Sequence, residues 1–151
     1  MRGQFTAVVL GVIATVILGA SGFAAAQETS AKQKMSENFA GMQIVLTSLM
    51  TSNYAAAPDQ IAIIADHAAY LMHSVPDSAK EYREQFIGYA YGLQGHARDL
   101  RSIIELLIKQ DGANGKVLET NDLREAAAAH YGGMVTTCVA CHNHFRRHAI
   151  Q

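Results

Sequence analysis

Tryptophan is absent from this chain of 151 residues, proline occurs twice and cysteine twice. Two cysteines cannot build a disulfide-dense scaffold. So little proline argues against a loop-rich fold, and a hydrophobic content of 50% is too high for disorder. Charge is scarce as well: 17% of residues are charged, for a net of −1 at pH 7 with histidine neutral. Without a basic excess nothing grips a phosphate backbone, which sets nucleic acid aside as a partner. No phosphate-cradling loop, nucleophile or catalytic base stands out, so the chain does not read as an enzyme. The length is that of one domain. What is present in quantity is histidine, seven in all, with several beside both cysteines near the C-terminus.

The N-terminal segment reads as an address rather than as fold. Arg2 supplies a positive start, Phe5 to Ala20 is uncharged and almost wholly apolar, and Ala24-Ala25-Ala26 offers small residues before the polar Gln27-Glu28-Thr29. This is the pattern of a secretory signal peptide over residues 1–26. The alternative is an uncleaved membrane anchor, since the apolar run matches the roughly 20 residues that span a bilayer. Gly11, Gly19, Ser21 and Gly22 make it a mediocre span, and the small-residue site favours cleavage. Either way residues 27–151 are sent across a membrane, which predicts a periplasmic domain, membrane-anchored if the segment stays.

Residues 27–151 carry apolar positions at spacings of three and four, the helical period. The first stretch, about Ser30 to Ser52, has the stripe Met35, Phe39, Met42, Val45 or Leu46, and Leu49, and breaks at Asn53 to Pro58. The second opens at Pro58-Asp59, a proline and an acid in the first turn, carries Ile61, Ile64, Ala68 and Leu71 or Met72, and stops before Pro76. The third begins with Ser78 and Glu81 at capping-box spacing and runs through Phe86, Leu93, His96, Leu100 and Leu107 to about Asp111-Gly112; it is expected to be the longest. The fourth opens near Thr120 or Asn121 and runs to about His148, with Leu123, Ala127, His130, Met134, Cys138, Cys141 and Phe145 on one face. No strand pattern has turn signals on both sides. Four amphipathic helices with short connections predict an all-α, antiparallel up-down-up-down four-helix bundle. Gly88, Gly92, Gly95, Gly132 and Gly133 each cost about 1 kcal/mol in a helix relative to alanine. Close helix approach, a ligand against the backbone or a kink would each account for them.

Cys138-Val139-Ala140-Cys141-His142 is the attachment pattern of a c-type haem. Two thiols three residues apart lie one helical turn apart and can form thioethers with the two vinyl groups on one porphyrin edge. The adjacent His142 then supplies an imidazole to the iron. Export delivers the chain to a compartment where haem is attached. Two other chemistries use such residues. A redox dithiol needs a strand-turn-helix context that is missing around Cys138. Zinc could draw on Cys138, Cys141, His142 and His144, but structural zinc sites recruit two pairs across a longer loop, and four ligands within one helix cannot easily close a tetrahedron. The expectation is one covalently attached haem c enclosed by the bundle.

A haem-attachment motif near the C-terminus of an exported four-helix chain resembles cytochrome c prime and the class II c-type cytochromes. The string Cys138-x-x-Cys141-His142-x-x-Phe145-Arg146 is similar to that superfamily's C-terminal signature. The likeness covers about Ser30 to Arg147 in architecture, and its specific part is this last stretch. It implies that Arg146 lies near the proximal face beside His142, and that a residue of the first helix faces the iron from the other side. Met42 falls near where that residue occurs in the family, counting from cleavage after Ala26; Met35 is the second choice. A methionine on the iron resembles the low-spin, electron-transfer branch. An open site resembles the branch that binds NO or CO. The likeness further implies a redox partner protein or a small gas ligand, and a homodimer through the first two helices. The chain departs from the family where an arginine often stands four residues before the distal position: here that residue is Asn38 or Ala31. It departs again in the placement of Gly132-Gly133 further upstream of the first cysteine. The other histidines are expected to be background: His67 and His73 at the surface or an edge, His96 and His130 as hydrogen-bonded packing residues, His144 and His148 solvated near the C-terminus.

Overall fold

A computed structural model describes residues 30–111 and 117–148 of the chain. The proposed signal segment, residues 1–26, lies outside them. Every regular element among the described residues is a helix, with no strand. Helix α1 occupies 30–51, α2 Ala57–His73, α3 Arg83–Asp111 and α4 Val117–His148, with a 3₁₀ segment, Asp77–Tyr82, before α3. None of these helices is long and apolar enough to cross a membrane.

Local chemistry accounts for most of the boundaries. Ser52 has φ 55°, a left-handed residue that closes the end of α1. The α2 start has Pro58 in its first turn, where its missing N–H costs nothing, and Asp59 against the positive end of the helix. Two expectations are corrected. Ser78 and Glu81 do not form a capping box: that stretch is the 3₁₀ segment, flanked by Pro76 with no side-chain cap, and tied instead by the Ala79 N–H donating to the Pro76 carbonyl at 2.9 Å and by a Lys80–Asp77 ion pair. Helix α4 begins at Val117 rather than at Thr120 or Asn121, and at 32 residues it exceeds α3 at 29.

The side-chain contacts give the packing order. Asn38 meets His67, and Gly41 meets Gln60 and Ile64, so α1 runs antiparallel to α2. Phe86 meets Phe145 while His96 meets His130, so α3 runs antiparallel to α4. Tyr131 donates to the Met42 carbonyl, bringing α4 back onto α1. The core falls into two clusters. The larger joins Met42 and Val45, Ile61 and Ile64, Leu100 and Ile104, and Met134. The smaller joins Ala31, Leu71, Val75, Phe86 and Ala90.

The expected stripe of α1 is partly wrong. Met42 is buried, and of Val45 or Leu46 it is Val45 that is buried, but Phe39 is 68% exposed although it lines a cleft, while Ala31, Asn38, Gly41 and Ser48 face inward. A side-chain carbon at Gly41 would make ordinary contact with Gln60 and Ile64 at 3.4–3.5 Å, so α2 sits against the small-residue side of α1, and Phe39 is left at the cleft. The α3 and α4 stripes match expectation: Phe86, Leu93, Leu100, Leu107, Ala127 and Met134 are all buried.

Candidate functional site

The two cysteines belong to the inner stripe of α4. Cys138 packs against the larger core cluster and Cys141 against the smaller, so the Cys-x-x-Cys turn bridges them. Between the clusters lies a cleft of about 360 Å³, within the ~300–1,000 Å³ usual for small-molecule and cofactor sites. Its walls come from every helix: Met35 and Met42 from α1, Leu71 from α2, Phe86 and Leu93 from α3, and Cys138, Cys141 and His142 from α4. His142 is solvent-exposed and borders the cleft rather than filling it.

Burial pushes both thiols up from their usual values, Cys141 to about 11 with the neighbouring Cys138 adding to the effect. A redox dithiol needs the opposite, a thiolate stabilised by a helix N-terminus or a cation. Here the pair sits far along α4 and is held protonated by its apolar surroundings.

On the facing side, Met42 is 8% exposed and lines the cleft. Its position is held from behind by Tyr131, whose hydroxyl donates to the Met42 carbonyl at 3.2 Å. Met35 also lines the cleft, and is half-buried. Cys138, Cys141, His142, Met42 and Met35 therefore border one cavity. Arg146 does not border it. It is exposed, its guanidinium donates to Asn143 Oδ1 at 3.3 Å, and it lines an adjoining hollow of about 570 Å³ that shares Cys141 and His142 with the first.

Two histidines behave differently from expectation. His144 is not solvated: its ring packs edge-on against Tyr82 at 5.4 Å and Phe145 at 5.0 Å, in an aromatic cluster that also holds Tyr89 and Phe86. The side chain of His148 lies outside the description. His67 is no surface residue: its Nδ1–H donates to Asn38 Oδ1 at 2.8 Å, and its side chain is 12% exposed. Burial and the nearby Lys34 lower its pKa, outweighing Glu37, whose carboxylate is 3.4 Å from Nε2. Asn38 is thus a buried polar wall of an apolar cleft with its carbonyl oxygen already engaged. Apolar periodicity passes over such a residue; the signal was an asparagine on the inner face of an amphipathic helix, one turn from each methionine.

Compared with protein-family models, with curated proteins and with solved structures, the chain gives no match.

Proposed function

We propose that this protein is an exported, single-haem c-type cytochrome of the class II kind, a one-electron carrier of the periplasm rather than an enzyme. The observation that carries the reading is that Cys138 and Cys141 line an apolar cleft across which Met42 lies, with His142 at its border. That donor set would suit the group: Cys138 and Cys141, two neutral thiols one turn apart, could tether it, the His142 imidazole and the Met42 thioether could serve as iron ligands, and Leu71, Phe86 and Leu93 would wall it. The bound haem would supply the Fe(III)/Fe(II) couple. The chain's part is to anchor it through Cys138 and Cys141, to present His142 and Met42 to the iron, and to exclude water. A thioether ligand and an apolar surround both raise the potential. Arg146, beside Asn143 at the far side of His142, would add positive charge near the proximal edge. A redox partner protein follows from the function, and exposed Ile44 and Ile63 offer apolar surface on the first two helices for a homodimer.

The test is a haem-stained denaturing gel followed by optical spectra of the exported protein. A stained band at the mature mass, with a low-spin ferric spectrum and the methionine–iron charge-transfer band, is the expected result. An unstained band would overturn the haem reading. A stained band with a high-spin spectrum would replace electron transfer by the alternative, an open iron that binds NO or CO.

A further inference from the structure

Below the cleft, α3 and α4 bring two imidazoles together. His96 Nδ1 and His130 Nδ1 are 3.5 Å apart, and the rings meet at 63° with centroids 5.6 Å apart. On the outer side, the Asp99 carboxylate lies 3.7 Å from the same His130 nitrogen. The backbone opposite has been cleared for one of these rings: a side-chain carbon at Gly133 would fall 2.6 Å from His96 Cε1. Any other residue at 133 would collide with the ring where it now lies. The sequence thus carries a glycine in the middle of a long helix, at a helical cost of about 1 kcal/mol, where it seats an imidazole facing another imidazole.

The spacing fits a shared cation. Metal–imidazole bonds of about 2.0–2.1 Å at a near-tetrahedral angle hold their nitrogens about 3.4 Å apart, close to the 3.5 Å found. Without a cation the same two nitrogens can share a hydrogen bond, at 3.5 Å a long one. Both rings are half-buried and Asp99 is exposed, so the pair is reachable from solvent on the carboxylate side. We infer that His96 and His130 form a two-imidazole site for a late first-row divalent cation, with water completing the coordination and the exposed Asp99 carboxylate beside His130 favouring the positive charge. The near-tetrahedral spacing suits Zn²⁺, while the order of divalent affinities makes Cu²⁺ the tighter-binding probe. The site is separate from Cys138 and Cys141 and needs no haem.

The test is titration of the exported protein with Cu²⁺ and with Zn²⁺ against a chromophoric chelator, on wild type, His96→Gln, His130→Gln and the double variant. Each single variant should bind Cu²⁺ at least about tenfold more weakly, with Asp99→Asn weaker by a smaller factor. Electron paramagnetic resonance of the wild-type Cu²⁺ complex, which depends on no variant folding, should show two imidazole nitrogens. A double variant that binds as tightly as wild type, or a wild-type spectrum without two imidazole nitrogens, would overturn the assignment.

Discussion

Met42 and Met35 differ in what surrounds them more than in what they are. Both border the cleft, but Met42 is buried in the larger core cluster and its carbonyl is held by Tyr131, whereas Met35 only packs against the edge of the smaller cluster. A ligand on the iron must be held in place by its surroundings. Met42→Ala is therefore expected to abolish the methionine charge-transfer band and turn the ferric spectrum high-spin, with Met35→Ala leaving both unchanged; optical spectra of the two variants check this. His67 gives a second expectation. Its pKa in the fold lies below the ordinary 6.5 because burial and Lys34 disfavour the cation. A depressed histidine pKa means that the unfolded chain binds the proton more readily. The stability it contributes is then complete above about pH 6.5 and is lost as the pH falls toward the folded value. His67→Gln should flatten the urea-midpoint profile between pH 7 and 5, and an unchanged slope would show that another group sets it.

At the scale of helices, the adjacent glycines of α4 have opposite meanings. Around Gly132 no atom lies within 4 Å of where a side-chain carbon would sit, while at Gly133 the His96 ring is 2.6 Å away. Gly132→Ala should stabilise the fold by up to about 1 kcal/mol, the helical advantage of alanine. Gly133→Ala should destabilise it by about 1–3 kcal/mol, the range for forcing extra volume into a packed site. Chemical denaturation of the pair measures the contrast. The existence and extent of the helices were largely legible: the periods of α2, α3 and α4 name their buried residues. The face of α1 was not. A search for large apolar side chains selects Phe39, but α1 packs on α2 through its small-residue side, where Gly41 lies beside Gln60 and Ile64, a property of two helices rather than of one. The Ser78–Glu81 spacing misled for a related reason. Pro76 and the Lys80–Asp77 pair hold that segment as a 3₁₀ turn, which leaves no helix N-terminus there to cap.

For the molecule as a whole, the cleft divides the core. Leu93 and Met42 lie on one side of it, Leu71 and Phe86 on the other, and Cys138 with Cys141 spans the gap. A cavity of that size leaves its lining without contacts on one side, so the group proposed to fill it should be part of the fold's stability as well as of its function. Replacing Cys138 and Cys141 by serine, which removes covalent attachment, is expected to lower the urea midpoint well below that of the wild-type protein. Near-ultraviolet circular dichroism should weaken around the cleft aromatics while far-ultraviolet helix content is largely kept, because the larger cluster packs α1 to α4 without the cleft. An identical midpoint for the two proteins would mean that nothing fills the cleft.

The sequence by itself determined the helical class, the approximate span of each helix and the Cys138-x-x-Cys141-His142 turn, because hydrophobic period and thiol spacing are local properties of the chain. Only the tertiary structure decided that Met42 and Met35 share one cleft with the cysteines while Arg146 stands outside it, and that His67 is tied to Asn38 and His96 faces His130. Those relations join residues on different helices. They depend on how closely the helices approach, which here is decided by glycines and small side chains that leave no hydrophobic signal.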